Sequence, residues 1–135
     1  MKNIIQKLVE SIGPSGYETA VRNLVRAEVE ALADEVRVDA LGNLIVRKGS
    51  KAKDGLRIML SAHMDEIGVI ATHIDDQGFV RFTTIGGVRP HTLMGGRVRF
   101  VTGVQGVIGG EKLDSPSQLP SFDQLFIDVG ATSRA

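Results

Sequence analysis

The sequence contains no cysteine and no tryptophan. Without thiols, disulfides and cysteine-based zinc sites are excluded, and a cytoplasmic setting is permitted. Excess charge of either sign is also missing, because 16 Lys and Arg stand against 16 Asp and Glu. No basic surplus is available for a phosphate backbone or an anionic membrane, so neither nucleic acid nor a membrane is expected as a partner. Long apolar runs are absent. None approaches the roughly 20 residues that span a bilayer. Met1-Lys2-Asn3-Ile4-Ile5 does not open an apolar stretch of signal-peptide type. Aromatics are sparse, one Tyr and five Phe, whereas glycine is frequent at 16 residues. That balance favours a turn-rich β portion over a helical bundle. At 135 residues the chain has the length of one ordinary domain with a real core.

The first segment reads as helix. Ile4, Ile5, Leu8, Val9 and Ile12 recur at helical spacing and form one apolar stripe, which Gly13-Pro14 ends. Ser15-Gly16-Tyr17-Glu18 fits a capping box, with Ser15 as N-cap and Glu18 reaching back to its N–H. Val21, Leu24, Val25, Val29 and Leu32 then make the apolar face of a second helix that ends near Ala33 or Asp34. The charges between them, Arg22, Arg26, Glu28 and Glu30, read as a solvated face. From Glu35 the period becomes two. Val36 and Val38 alternate with Arg37 and Asp39, Leu41-Gly42-Asn43 supplies a turn, and Leu44-Ile45-Val46-Arg47 returns. A polar loop occupies 49–55.

In the strand Arg57 to Leu60, the apolar run Ile58 to Leu60 then reads as buried on both faces. It runs into Ser61 and Ala62, and next come an imidazole and a carboxylate two positions apart, His63 and Asp65. In an open α/β sheet, ligands bind just outside the carboxyl ends of strands. Histidine is the commonest metal-ligating side chain. A carboxylate beside it can accept the proton of the other ring nitrogen and fix the tautomer. The alternative is a strand end that merely turns polar, and His-x-Asp spacing does not by itself decide between the two.

Beyond this point short strands and glycine turns alternate. Ile67 to Ile74 is a strand, and Asp76-Gln77-Gly78 is a hairpin turn in which Gly supplies a positive φ. Phe79 to Ile85 is a half-buried strand, with a turn after it at Gly86 to Pro90. Arg97 to Thr102 and Val104 to Gly109 form a meander. A polar loop occupies Glu111 to Ser121, and Leu125 to Val129 is a last strand before a polar tail. Short strands without intervening helices predict a small barrel or sandwich.

Five blocks occur in one order: Pro14-Ser15-Gly16-Tyr17-Glu18, Asp39 to Leu44, Ala62-His63-Met64-Asp65-Glu66-Ile67-Gly68, Ile85-Gly86-Gly87-Val88, and Phe126 to Ala131. Together they resemble the tetrahedral, or deblocking, aminopeptidases, also labelled glutamyl aminopeptidases or cellulase M-like proteins. The resemblance covers nearly the whole chain but only the first part of the family pattern. It implies an α/β fold: part of an α/β metallopeptidase catalytic domain over 1–74, a β-rich, barrel-like dimerisation domain over 75–129, and a tail at 130–135 where the chain is truncated. It further implies a peptidase with two divalent metal ions, zinc or cobalt, in which an activated water attacks a peptide carbonyl while a carboxylate acts as general base. Peptides are the implied substrates. The implied assembly is a homo-oligomer, dimers building a tetrahedral dodecamer in the full-length family.

His63 matches the family's first metal ligand, and Asp65 matches the catalytic-site carboxylate that orients this histidine without binding metal itself. The other ligands and the general base lie downstream of the position matching Ala135. His73 and His91 are not promoted in their place; each is read as a surface or interface histidine. The segment Gly109 to Pro116 also departs from many relatives, which carry a histidine there. The isolated chain is therefore expected to be inactive. Two other classes stay open: a non-catalytic assembly module, and a glycoside hydrolase. A glycosidase needs two carboxylates facing across a sugar. Asp65 and Glu66, as neighbours on an extended strand, would point to opposite faces. The buried-strand expectation makes Ile58→Ala or Leu60→Ala costly and predicts self-association through an uncovered face.

Overall fold

In the computed structural model, which describes residues 1–49, 54–113, 115 and 117–134, the chain divides into two compact units, Met1–Glu66 and Ile67–Ala135. The loop expected at 49–55 therefore lies mostly outside the described residues, as do Asp114 and Pro116 of the later polar loop and Ala135 of the tail. No described helix is long and apolar enough to cross a membrane.

The first unit begins with α1, Lys2–Glu10. Its stripe is half covered: Ile4, Leu8 and Ile12 are partly buried, while Ile5 and Val9 face outward. After Gly13-Pro14 comes α2, Thr19–Val29, extended by a 3₁₀ turn at Glu30–Leu32. Lys7 on α1 pairs with Glu28 on α2 at 2.6 Å. Val21 is the buried residue of α2, and Gly13 is glycine for a packing reason. A Cβ at Gly13 would stand 2.8 Å from Val21 Cγ1. The antiparallel hairpin of β1, Glu35–Val38, and β2, Leu44–Arg47, forms as the period-two pattern predicts, with Val38 opposite Leu44.

Two expectations fail in this unit. Ser15 does not cap α2. Glu18 holds the N-cap position without a side-chain cap, and its Oε1 accepts the Gly16 N–H at 2.6 Å. The helix starts at Thr19, so Ser15 lies three residues ahead of the N-cap, and its hydroxyl donates to Asp65. A capping box does exist elsewhere, at Ser121 and Gln124 around a 3₁₀ turn. The second failure is the strand at Leu56 to Leu60. These residues form no strand, and Ile58 and Leu60 are 76% and 93% exposed. A strand is held by its neighbours, and β1 and β2 pair with each other. Among the described residues the only parallel contact in this unit is a single bridge between Pro14 and Glu66.

The second unit is one antiparallel sheet in the order β3-β4-β7-β6-β5, made from β3 (Gly68–Ile74), β4 (Val80–Ile85), β5 (Arg97–Arg99), β6 (Gln105–Gly110) and β7 (Leu125–Asp128). Among the described residues β3 and β5 are its edges. The β3–β4 turn is built as predicted. Gly78 has φ +89°, and Asp75 Oδ1 accepts the N–H groups of Gln77 and Phe79 at 3.1 and 3.0 Å. Alternate residues of three strands, Val80 and Phe82, Ile108, Leu125 and Ile127, meet in one core. Because β3 pairs along its length with β4, the packing boundary falls at 66/67.

Arg81 lies outside that core. Its guanidinium sits 5.6 Å over the Phe126 ring and pairs with Asp75 at 3.0 Å and Glu111 at 2.8 Å. Burial alone would lift the Asp75 carboxyl, but the Phe79 N–H, Arg81 and the Gln77 N–H together hold it below its ordinary range.

Leu125 and Ile127 are 0% and 1% exposed, so Leu125→Ala or Ile127→Ala is expected to cost about 2–5 kcal/mol by urea denaturation. Ile58→Ala and Leu60→Ala, at exposed positions, are expected to stay within about 0.5 kcal/mol of the parent. A loss at Ile58 matching that at Leu125 would contradict this structure.

Candidate metal-ligand site

The site is assembled from three stretches of the first unit: the Pro14–Glu18 turn before α2, the turn between β1 and β2, and the segment Ala62–Glu66. They surround an open pocket of about 160 Å³ into which Glu18, Leu41, Asn43, His63 and Asp65 contribute.

The hairpin turn is tied by its own aspartate. Asp39 Oδ1 accepts the N–H groups of Leu41 and Asn43 at 3.0 and 2.9 Å, and Oδ2 accepts the Asn43 amide at 2.9 Å. The side-chain amide of Asn43, then its backbone N–H, hold the Asp39 carboxyl below its ordinary value of 3.8. Gly42 takes φ +89° at the tip. Arg22 of α2 braces the turn, donating to Gly42 O at 3.2 Å and to Thr19 Oγ1 at 3.1 Å. The sequence therefore sets this wall of the pocket locally.

On the opposite wall, the His63 imidazole is 86% exposed. Its Nδ1 lies 3.0 Å from Asp65 Oδ1 and 3.1 Å from the Asp65 carbonyl oxygen. Both partners are acceptors, so Nδ1 carries the proton and Nε2 is left with a lone pair. The second Asp65 oxygen accepts the Ser15 hydroxyl. The Ser15 bond first, and the His63 bond second, keep the Asp65 carboxyl below its ordinary 3.8. With both oxygens engaged, Asp65 orients a ring.

The donor set fits one ligand position of a metal site: a bare imidazole nitrogen with a carboxylate behind it. It does not fit a whole site. Among the described residues no three His, Asp or Glu side chains converge where a metal ion could sit. His73 on β3 and His91 in the Pro90–Thr92 turn belong to the other unit. The Thr72 hydroxyl lies 3.3 Å from His73 Nδ1. The His63–Asp65 pairing is a product of their i, i+2 spacing. Ser15 and the Leu41–Asn43 wall are not, because these contacts join stretches tens of residues apart.

The profile of the M42 glutamyl aminopeptidase family matches residues 42–135. A lysyl aminopeptidase of Pyrococcus furiosus is 41% identical over 97% of this chain and 40% of its own. The solved aminopeptidase from the archaeon Desulfurococcus kamchatkensis superposes with a TM-score of 0.87 at 42% identity, over 98% of this chain and 38% of its own. A Pyrococcus horikoshii TET peptidase, described as assembling into a tetrahedron or a large octahedral shell, gives 0.85 at 36% identity, over 98% and 41%. The chain thus spans about 40% of the length of these relatives.

The lowered Asp39 carboxyl has a pH consequence. Its contribution to stability is present above 3.8 and is lost as pH falls through the lower native value. Asn43→Ala removes the main cause and is expected to raise the Asp39 pKa toward 3.8 in a carbon-detected NMR titration. The stability gap between parent and variant is then constant near neutrality and shrinks below about pH 4.

Proposed function

This chain belongs to the M42 glutamyl aminopeptidase family, and from that premise we propose that it is the amino-terminal portion of a two-metal aminopeptidase that removes residues from peptide N-termini. His63 is the metal ligand and Asp65 the catalytic-site carboxylate that orients it. The observation that carries this is the His63 ring itself. Two acceptors hold Nδ1, so Nε2 keeps its lone pair, on a residue that lines the pocket. Zinc or cobalt bound there, with a second ion, would polarise the scissile carbonyl and supply an activated water. This chain's own part is to hold one ligand in one tautomer and to wall one side of the pocket with the Leu41–Asn43 turn.

The finer architecture belongs to the same proposal. Residues 1–74 carry part of an α/β catalytic domain, and 75–129 carry a β-rich, barrel-like dimerisation domain. This functional division differs from the packing division at 66/67 because β3 leads out of the first and pairs within the second. A cytoplasmic setting goes with it. The glycosidase alternative is weaker. Glu66 Oε1 accepts the Gly13 N–H at 3.1 Å, so that carboxylate is engaged in holding the backbone.

Added zinc is expected to shift the ring signals of His63 in NMR spectra while those of His73 and His91 stay in place. The 135-residue chain is expected to release no nitroaniline from aminoacyl-nitroanilides with zinc or cobalt, beyond a His63→Ala control. Turnover above that control would refute the single-ligand reading.

A second reading concerns assembly. The P. horikoshii relative is described as able to assemble into a tetrahedron or a large octahedral shell. Here the edge strand β3 exposes Ile70 and Ile74 on the second packing unit, Ile67–Ala135. The expected outcome is a homo-oligomer. Sedimentation velocity over a hundredfold concentration range should show boundaries larger than a monomer. A single monomer boundary throughout would exclude it.

A further inference from the structure

Ser15 is released from the helix start, and its hydroxyl is used elsewhere. The segment Gly13–Ser15 runs beside Asp65–Glu66 as a short parallel contact. Glu66 N–H donates to Gly13 O at 2.9 Å, Gly13 N–H donates to Glu66 Oε1 at 3.1 Å, and Pro14 faces Glu66 in a parallel bridge. One residue further on, the Ser15 hydroxyl donates to Asp65 Oδ2. The backbone contacts place the two segments, and the hydroxyl then selects how the carboxylate is turned.

We propose that Ser15 is a positioning residue for the His63 imidazole. Its hydroxyl anchors the Asp65 carboxylate so that Oδ1 faces Nδ1–H and Nε2 stays bare toward the pocket. The physical need is specific. The terminal torsion of an aspartate is broad and roughly two-fold, so an unanchored carboxylate in a half-exposed position swings. His63 is largely in water, and among the described residues its ring makes no hydrogen bond except to Asp65. In free histidine the proton prefers Nε2, the nitrogen a metal would need bare. The Asp65 carbonyl offers Nδ1–H one acceptor at 3.1 Å, and Ser15 fixes the second and charged one, Oδ1 at 3.0 Å. Groups that orient a ligating histidine through its other nitrogen typically change metal affinity 10–100-fold when removed, as an order of magnitude. Ser15 stands one bond behind such a group. Its importance for metal binding rests on the proposed ligand role of His63; its effect on the tautomer does not.

The test is a long-range ¹H–¹⁵N spectrum of the histidine rings of the 135-residue chain, at about pH 8.5, where an ordinary imidazole is neutral. His63 is assigned by its disappearance in His63→Asn. The parent is expected to show a protonated Nδ1 and a bare Nε2. Ser15→Ala should move His63 toward the Nε2–H pattern of free histidine, and Ser15→Thr, which keeps the hydroxyl, should restore the parent pattern. If amide dispersion shows that Ser15→Ala does not fold, Ser15→Cys, a weaker donor of similar size, is expected to give an intermediate ring pattern. A folded Ser15→Ala with the parent's ring pattern overturns the proposal, as does a parent already in the Nε2–H form. A parallel zinc titration read on the same ring separates the two ideas. A tautomer shift without zinc binding in any variant leaves Ser15 as the positioning residue and removes the ligand role of His63. Equal zinc binding with an unchanged tautomer keeps the ligand role and removes Ser15. Weaker zinc binding in Ser15→Ala, by about 3- to 100-fold, supports both.

Discussion

One carboxylate organises the first unit. Asp65 accepts a hydrogen bond from Ser15 on one oxygen and from His63 on the other, and so joins two stretches 50 positions apart. A carboxylate with two donors is held in its charged form, and a charged acceptor makes both bonds stronger than neutral ones would be. Much of the surrounding arrangement serves this group. Gly13 lacks a side chain so that its segment can pass close to Val21. Glu66 takes the Gly13 N–H, which brings Ser15 into line. The result is a rigid arrangement around an exposed imidazole, built from a helix approach and a loop rather than from a buried strand.

The sheet unit obeys a different constraint, the space above its central strands. A Cβ at Gly106 would lie 2.5 Å from Ile127 Cγ2, and one at Gly109 would lie 2.6 Å from the Phe126 ring. The glycines of β6 therefore clear room on both faces of β7. On one face Leu125 and Ile127 close the core. On the other, Phe126 stacks against Phe79 at 4.2 Å and carries Arg81 over its ring. A chain with few aromatics places two of its five phenylalanines together where they hold the outer face of the sheet.

The features legible in the sequence are those decided within about ten residues. The stripes of α1 and α2, the Asp39-to-Asn43 turn, the Gly78 hairpin and the His63–Asp65 contact are all local, and each stands where its pattern placed it. Two expectations failed because a distant partner decided them. Ser15 with Glu18 three positions on satisfies the local rule for a helix cap, but the helix begins only at Thr19 and the Ser15 hydroxyl donates to the carboxylate at position 65. Leu56 to Leu60 has the composition of a buried strand, but composition cannot provide a neighbour, and these side chains stand in solvent. The division proposed at 74/75 is one of function, and the packing division falls at 66/67. The hydrogen bonds of β3 go to β4 in the second unit.

The strand order carries a consequence for how the second unit is born. β7 is the last of these five strands in sequence yet central in the sheet, between β4 and β6. The hairpins β3–β4 and β5–β6 close locally and can form early, since short loops cost little entropy to shut. Neither hairpin pairs with the other until β7 arrives between them. While the chain is being synthesised, Val80, Phe82 and Ile108 therefore wait uncovered until Leu125 and Ile127 have emerged. The final strand acts as a keystone, and for most of its synthesis this half of the protein is two unjoined ribbons with their apolar sides in water.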